Sequence, residues 1–334
     1  MKTLVTGAPG WLGDTLVEAL VKGSPDFEVK TREVRCLVIK GANTTRLKSL
    51  GVEIVEGDVR DPSTLMDVAR GIDTVFHCAG LIHPKKISEV YDINTRGTEN
   101  MITAASYAGV KRFVQVSSNS PAGTNRSRDK LMKESDAPRP YKAYGRSKML
   151  AERIVQNFQK QKKIETVIVR PCWFYGPNQP ARQTRFFKMI KAGNPIVFGD
   201  GNNLRSMSYV DNLVQGLVLA EKTEKASGQI YWIADARPYP TNEIYRTVAE
   251  LLDVKDFKPR HIPALASTVA EIVDTLLQAA GKYWTEVHVA GEMDKDIACS
   301  IDKARAELGY NPKIDLHEGM RRSIEWCRKN GMPV

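Results

Sequence analysis

The sequence predicts an α/β fold in which a doubly wound parallel sheet is followed by a smaller mixed lobe. Three observations carry that expectation. Short β-branched and apolar runs alternate with amphipathic stretches through the first half of the chain. A glycine-rich turn joins the first run to the first amphipathic stretch. Beyond Pro171 the alternation gives way to Gly/Pro/Asn punctuation. Parallel strands covered by helices on both faces must be apolar nearly throughout, which is the pattern of the first half.

Taken in order, residues 4–6 read as a strand, 12–21 as a helix and 34–39 as a second strand. Residues 23–33 exceed what a tight turn needs and predict a surface excursion. Residues 53–56, 74–77 and 113–117 read as further strands, with a helix over 95–108 between the last two. A long helix over 147–161 and a strand over 166–170 complete the regular part. Breaks at 175–180, 193–195 and 199–203 mark the change of character. The pattern thus divides into a Rossmann-type dinucleotide-binding domain over 1–170 and a lobe over 171–334 that binds substrate, some of whose segments return to the first domain. Residues 265–284 form an apolar-rich helical pattern, read as a core or lid helix rather than a membrane contact.

Composition narrows the classes. Apolar residues make up 42% of the 334, enough for a sizeable core. The five cysteines form no CxxC pair, which argues against a disulfide framework or a zinc site and suits a reducing cytoplasm. No bound metal is expected. The first residues lead straight into a strand without the pattern of a secretory signal, and no apolar run is long enough for stable membrane insertion. The formal charge of +10 is dispersed, so it does not indicate nucleic acid and is compatible with phosphate-bearing small molecules.

The turn from Thr6 to Gly13 carries glycines at 7, 10 and 13, after a strand and before a helix. In that setting Gly7 permits the tight turn, Gly10 lets backbone approach a pyrophosphate, and Gly13 brings the helix close to the sheet. The helix start at Trp11 and Leu12 offers its N–H groups. This points to NAD(P). An acidic residue at the end of the second strand would hydrogen-bond the adenosine ribose. Here Lys40 stands there, with Arg35 and Arg46 nearby, which favours NADP.

Tyr144 and Lys148 are four residues apart and share one helix face. A neighbouring ammonium lowers a phenol's pKa, so Tyr144 can exchange a proton with a hydroxyl/carbonyl pair while hydride moves at the nicotinamide, and Lys148 can hold the nicotinamide ribose. Ser118, at the carboxyl edge of the sheet, can orient the substrate oxygen, with Asn119 beside it.

In this order these motifs resemble the extended short-chain dehydrogenase/reductase family, of the NAD-dependent epimerase/dehydratase type, with some features of 3β-hydroxysteroid dehydrogenases. The stretch Gly57-Asp58-Val59-Arg60-Asp61 is similar to its adenine-side segment, His77-Cys78-Ala79-Gly80 to a turn beside the cofactor, and Asp92–Thr98 to the element carrying a site asparagine, here Asn94. Arg170-Pro171 and Tyr175-Gly176-Pro177 match its entry to the substrate lobe. The resemblance implies cofactor contacts from Asp58, Val59, Ala79, Gly80, Asn94 and Pro171, a small-molecule substrate and a homodimer.

On substrate the resemblance divides. The segment 198–211 is similar to the nucleotide-sugar branch, in which the arginine at the position of Arg205 binds the diphosphate. The leading reading is therefore an epimerase or oxidoreductase of a nucleotide sugar. However, residues 287–300 lack the second arginine of that branch, and 265–284 with 301–309 look more like enzymes of hydrophobic alcohols or ketones, the steroid dehydrogenase and dihydroflavonol reductase type. A non-catalytic dinucleotide-binding protein is the third reading, opposed by the presence of both Tyr144 and Lys148. Ser118 is followed by Asn119-Ser120-Pro121, so the Asp-Glu pair of sugar 4,6-dehydratases is missing, as is the cysteine of the deoxysugar 3,5-epimerase/reductases. His83, Lys85, Trp173 and Gln179 are either loop residues or substrate contacts.

Overall fold

The computed structural model describes residues 1–334. Its centre is one sheet of seven parallel strands, β1 (Lys2–Thr6), β2 (Glu33–Val38), β3 (Glu53–Glu56), β4 (Thr74–His77), β5 (Arg112–Val116), β6 (Glu165–Pro171) and β7 (Ile230–Ile233). The order is β7-β6-β5-β4-β1-β2-β3. In the middle of the sheet Val5 sits between Cys36 and Phe76, and Val114 between Phe76 and Val167, all fully buried. Helices cover both faces, which is why these strands carry almost no polar alternation. Strand order reverses between β1 and β4, and this opens a crevice at the carboxyl ends of the two strands.

Helix α1 (Trp11–Lys22) follows β1. On the opposite side α2 (Gly97–Tyr107) packs against α3 (Lys142–Lys160). The run into α2 is a wider π-type turn, Tyr91–Arg96, with Asn94 completely buried inside it; such turns commonly mark functional positions. Between Lys22 and Glu33 there is no regular element, as the sequence predicts. Helix α3 begins five residues before the predicted 147, so Tyr144 and Lys148 both lie within it.

The later elements include three two-stranded ladders, Trp173–Tyr175 with Met207–Tyr209, Leu204–Arg205 with Tyr239–Pro240, and Ile196–Phe198 with Arg260–Ile262. They surround a separate apolar cluster that includes Tyr175, Phe187, Tyr209, Tyr245 and Ile324, the last from α6 after α4 (Leu265–Ala279) and α5 (Thr285–Glu292). That last helix, α6, spans Leu316–Lys329.

The pattern at 265–284 is therefore a helix that ends at Ala279, followed by a second one. Its reading as a core helix is wrong. Leu265, Ile272 and Leu276 are 69%, 57% and 66% exposed, whereas Ser267 and Asp274 are fully buried. The polar residues face inward because each finds a partner there: Ser267 donates to Asp294, and Asp274 meets His288.

Candidate active site

The glycine turn is built by close backbone approach. Gly7 has φ +83°, and a Cβ there would lie 2.6 Å from the Ala79 nitrogen. A Cβ on Gly10 or Gly13 would strike the Gly7 carbonyl oxygen at 2.5 and 2.6 Å. The loop after β4 is thus drawn against the turn, and Thr6 Oγ1 accepts from the Ala79 N–H at 3.2 Å. No side chain caps the start of α1, which leaves its first N–H groups without a side-chain acceptor. Trp11 projects its ring elsewhere, donating from Nε1 to the Pro177 carbonyl at 2.6 Å and packing on Phe174. Leu12 is buried in the core.

Beside this turn lies an open cavity of about 670 Å³ lined by Pro9, Asp14, Asn43, Thr45, Arg46 and Ser49. Asp14 Oδ1 is buried without a partner, and burial raises the pKa of its carboxyl. Arg46 is paired with Glu18. Arg35, considered above as a partner of a 2′-phosphate, is committed elsewhere: it bonds the Val68 and Arg70 carbonyls at 2.8 and 2.9 Å and pairs with Glu53. Lys40 is exposed at the end of β2. Asp58 is clasped by Arg60, while Val59 is buried under Gly97 and accepts from Asn100. The uncapped helix, the glycine cradle and the orphaned carboxylate oxygen together fit a dinucleotide.

Asn94 acts as a staple. Its amide donates to the Leu81 carbonyl at 2.9 Å and to Ser147 Oγ at 3.0 Å, and accepts from the Leu81 N–H at 2.8 Å. It thereby locks the loop after β4 to α3. A Cβ on Gly80 would lie 3.2 Å from Lys148 Nζ and 3.3 Å from Asn94 Oδ1, so Ala79-Gly80 presses directly on the lysine. Lys148 is buried and donates to the Val116 carbonyl at 2.9 Å. Burial lowers its pKa to about 8, partly offset by the Glu152 carboxylate. His77 is fully buried and neutral, its pKa pulled to about 3 by burial and then by Lys148.

Ser118, at the end of β5, is 8% exposed and lies next to Asn119 and Ser120, each 3.4 Å from its Oγ. Its hydroxyl also favours the ionised form of the neighbouring Tyr144. Burial outweighs that influence and pushes Tyr144 up to about 12, while Lys148 is held on Val116. At neutral pH Tyr144 is a protonated phenol. Pro171 ends β6 beside this group, paired with Ile233. Below it a buried ion pair goes unnoticed in the sequence: Arg170 grips both oxygens of Glu152 at 2.8 and 2.6 Å, and Ser117 donates to the same carboxylate at 2.6 Å. Glu152 lies one helical turn beyond Lys148.

Helices α4 and α5 close over the start of α3. Gln278 accepts from the Ala143 N–H at 3.1 Å, one residue before Tyr144, and donates to Asp274 at 3.0 Å. Asp274 meets His288 Nδ1 at 2.8 Å, and Lys142 reaches across to the Glu271 carbonyl at 3.2 Å. The His288 ring lies between Tyr141 and Tyr283, and the Tyr283 hydroxyl is 3.1 Å from His83 Nδ1. Asp274, Gln278 and His288 have no local sequence signal, since their partners lie up to 135 residues away.

The Asp274–His288 tie is expected to make the lid sensitive to pH. Burial lowers the His288 pKa, but the bond to Asp274 and the charges of Glu292 and Asp274 outweigh it, so the imidazole ends above 6.5. Burial raises Asp274, but its bonds from His288 and Gln278 leave it below 3.8. The histidine contribution is complete below 6.5 and is lost as pH rises through the higher folded value, and the aspartate contribution is lost on acidification below 3.8. Hydrogen-exchange protection of α4 and α5 should therefore be greatest between 3.8 and 6.5 and decline as pH rises through the raised His288 value. In His288→Gln the decline should disappear; protection that falls equally in both proteins would contradict the tie.

Arg205 sits at the inner edge of the lid, donating to the Glu292 carbonyl, with Glu292, Asp294 and Asp296 around it. Glu292 is within electrostatic reach of Tyr144 too, as is Tyr283. Of the other candidates, Gln179 is occupied by Ser323 and Cys327 of α6, Trp173 packs on Phe186, and Lys85 is exposed.

A seven-stranded parallel sheet with a glycine turn in its crevice and a Tyr–Lys pair at its carboxyl edge defines a dinucleotide-dependent enzyme. Residues 3–234 match the NAD dependent epimerase/dehydratase family, and the chain belongs to that family, whose members are extended short-chain dehydrogenases/reductases. It is 46% identical to the y4nL protein of Sinorhizobium fredii, over 98% of this chain and 95% of that one. It is 28% identical to 3β-hydroxysteroid-dehydrogenase/decarboxylase isoform 2 of Arabidopsis thaliana, over 96% of this chain and 61% of that longer protein. The fold is similar to that of DesIV, a dTDP-glucose 4,6-dehydratase of Streptomyces venezuelae solved with NAD bound, with TM-score 0.79 and 25% identity over 99% and 98% of the two chains.

Proposed function

We propose that this chain transfers hydride between NAD and a secondary hydroxyl or ketone on a hydrophobic small molecule. Bound at the glycine turn, the nicotinamide would supply or accept the hydride. The N–H groups at the start of α1, with Gly7, Gly10 and Gly13, would hold the pyrophosphate. Lys148 would leave the Val116 carbonyl to grip the nicotinamide ribose, and its ammonium would then favour the Tyr144 phenolate as the alcohol is oxidised. In reduction Tyr144, a phenol at neutral pH, would give its proton to the carbonyl oxygen that Ser118 positions. Asn119-Ser120 supply no carboxylate for elimination, which argues against dehydration.

The observation that carries the hydrophobic substrate is the state of Arg205. Its guanidinium already donates to the Glu292 backbone carbonyl, and the charges of Glu292, Asp294 and Asp296 act on it, so a diphosphate placed on it would enter a region that already holds acidic charge. The likeness to a steroid dehydrogenase/decarboxylase supports the same choice. The nucleotide-sugar reading retains two supports, the position of Arg205 beside the lid and the likeness to DesIV.

For the cofactor, the unpartnered Asp14 oxygen in the cavity suits a ribose hydroxyl better than a 2′-phosphate, and Arg46 is already paired; Lys40, exposed, is the support on the NADP side. Isothermal titration should accordingly give tighter binding of NAD than of NADP, and Asp14→Ala should narrow the difference. Titration of the NAD-loaded protein with UDP, GDP, dTDP and a steroid ketone tests the substrate. Heat from the ketone alone, unchanged in Arg205→Ala, is the expected result. Micromolar binding of one nucleoside diphosphate, lost in Arg205→Ala, would return the assignment to a nucleotide sugar.

A further inference from the structure

Exposed large apolar side chains gather in one place, with Leu265, Val269, Ile272, Val273 and Leu276 on α4 and Trp284 just beyond it. Their spacing is that of one helical face. The two acidic residues of α4 turn the other way: Asp274 is fully buried on His288, and Glu271 lies against Lys142 and Lys295. The helix is amphipathic with its polar side packed on the protein and its uncharged apolar side in water, the reverse of the usual arrangement. Both ends of this face are basic. Lys258 and Arg260 precede it, Lys282 follows it, and Lys86 pairs with Lys282 in a short antiparallel bridge with Lys85 alongside, all of them exposed.

We propose that this face of α4, with Trp284, docks on an anionic lipid surface. The charges select the occupant. In a second copy laid on the face, parallel or antiparallel, cationic ends would meet cationic ends, because both termini of the stripe carry the same sign. An anionic bilayer satisfies both ends at once, while the apolar stripe enters the boundary between headgroups and chains and Trp284 takes the interfacial position its amphipathic ring favours. No helix of the chain is long and apolar enough to cross a membrane, so α4 lies in the plane of the surface. Its inner side touches the start of α3 through Gln278 and Ala143, which places the substrate cleft next to the lipid phase. The docking stands independently of the substrate, since it rests on the outer face of α4 and uses no residue of the cleft.

The test is co-sedimentation of the full chain with vesicles of phosphatidylcholine alone and of phosphatidylcholine mixed with phosphatidylserine. Binding to the mixed vesicles only is expected, weakened about tenfold or more in the double variant Ile272→Ser/Leu276→Ser. Lys86→Ala/Lys282→Ala should lose roughly fivefold per lysine and retain the apolar contribution. All four side chains are at the surface, and circular dichroism checks that the variants fold. Failure to sediment with either vesicle, or equal binding to both, would overturn the proposal. So would a dimer in analytical ultracentrifugation that dissociates in Ile272→Ser/Leu276→Ser, which would give the face to a second copy.

Discussion

Tyr144→Phe is expected to lower kcat by roughly 10²–10⁴-fold while leaving NAD affinity nearly unchanged. The phenol hydroxyl is the group in the cleft placed to give a proton to a substrate oxygen next to Ser118, and it is held protonated at neutral pH by burial. Phe keeps the ring and its packing in α3, so the loss should fall on the chemical step. Single-turnover measurement of NADH oxidation, with calorimetric NAD binding on the same preparation, separates the two quantities. A variant that loses NAD binding along with turnover would make Tyr144 a binding residue only. Undiminished turnover would remove it from the site.

The largest effect on stability is expected from Arg170→Leu. Arg170 and Glu152 are both about 3% exposed, and the guanidinium supplies two of the three hydrogen bonds that the carboxylate receives. Removing it strands a buried charge, a change that costs about 3–5 kcal/mol. The double variant Arg170→Leu/Glu152→Leu removes both charges and should recover much of that loss. Because Glu152 also supports the charged form of Lys148, Glu152→Gln should depress turnover as well as stability, since it leaves the buried Arg170 guanidinium without its counter-charge. Chemical denaturation of the three proteins checks the ordering; equal stability of the single and double variants would show that the pair contributes through packing alone.

What could be read from the residues was local. The glycine turn, the Tyr144–Lys148 spacing and Ser118 at a strand end each lie within a few residues, and the structure brings them to one crevice. The alternation that announced the parallel sheet is similarly local, because burial on both faces leaves its mark on every strand. Contacts that close a long loop left no such mark. Glu152 looks like any charged residue on an amphipathic helix until Arg170 meets it from β6, and the link from His288 through Asp274 and Gln278 to Ala143 joins elements far apart in sequence. The pattern at 265–284 reads as one core or lid helix, whereas the helix ends at Ala279 and its apolar residues face outward. Hydropathy assumes that the protein side is the apolar side, and the interior of this lid is lined with acids, amides and imidazole that pair with one another and with the start of α3. Lys148 shows the same limit at the level of one atom: four-residue spacing put it on the face of Tyr144, but its ammonium takes the nearer Val116 carbonyl.

The most direct test of the account follows NADH absorbance in the presence of a panel of steroid and long-chain aliphatic ketones, with wild type, Tyr144→Phe and Arg205→Ala in parallel. The account predicts NADH consumption with at least one hydrophobic ketone in wild type and Arg205→Ala, and none above background in Tyr144→Phe. Consumption confined to a keto form of a nucleotide sugar and abolished by Arg205→Ala would contradict it.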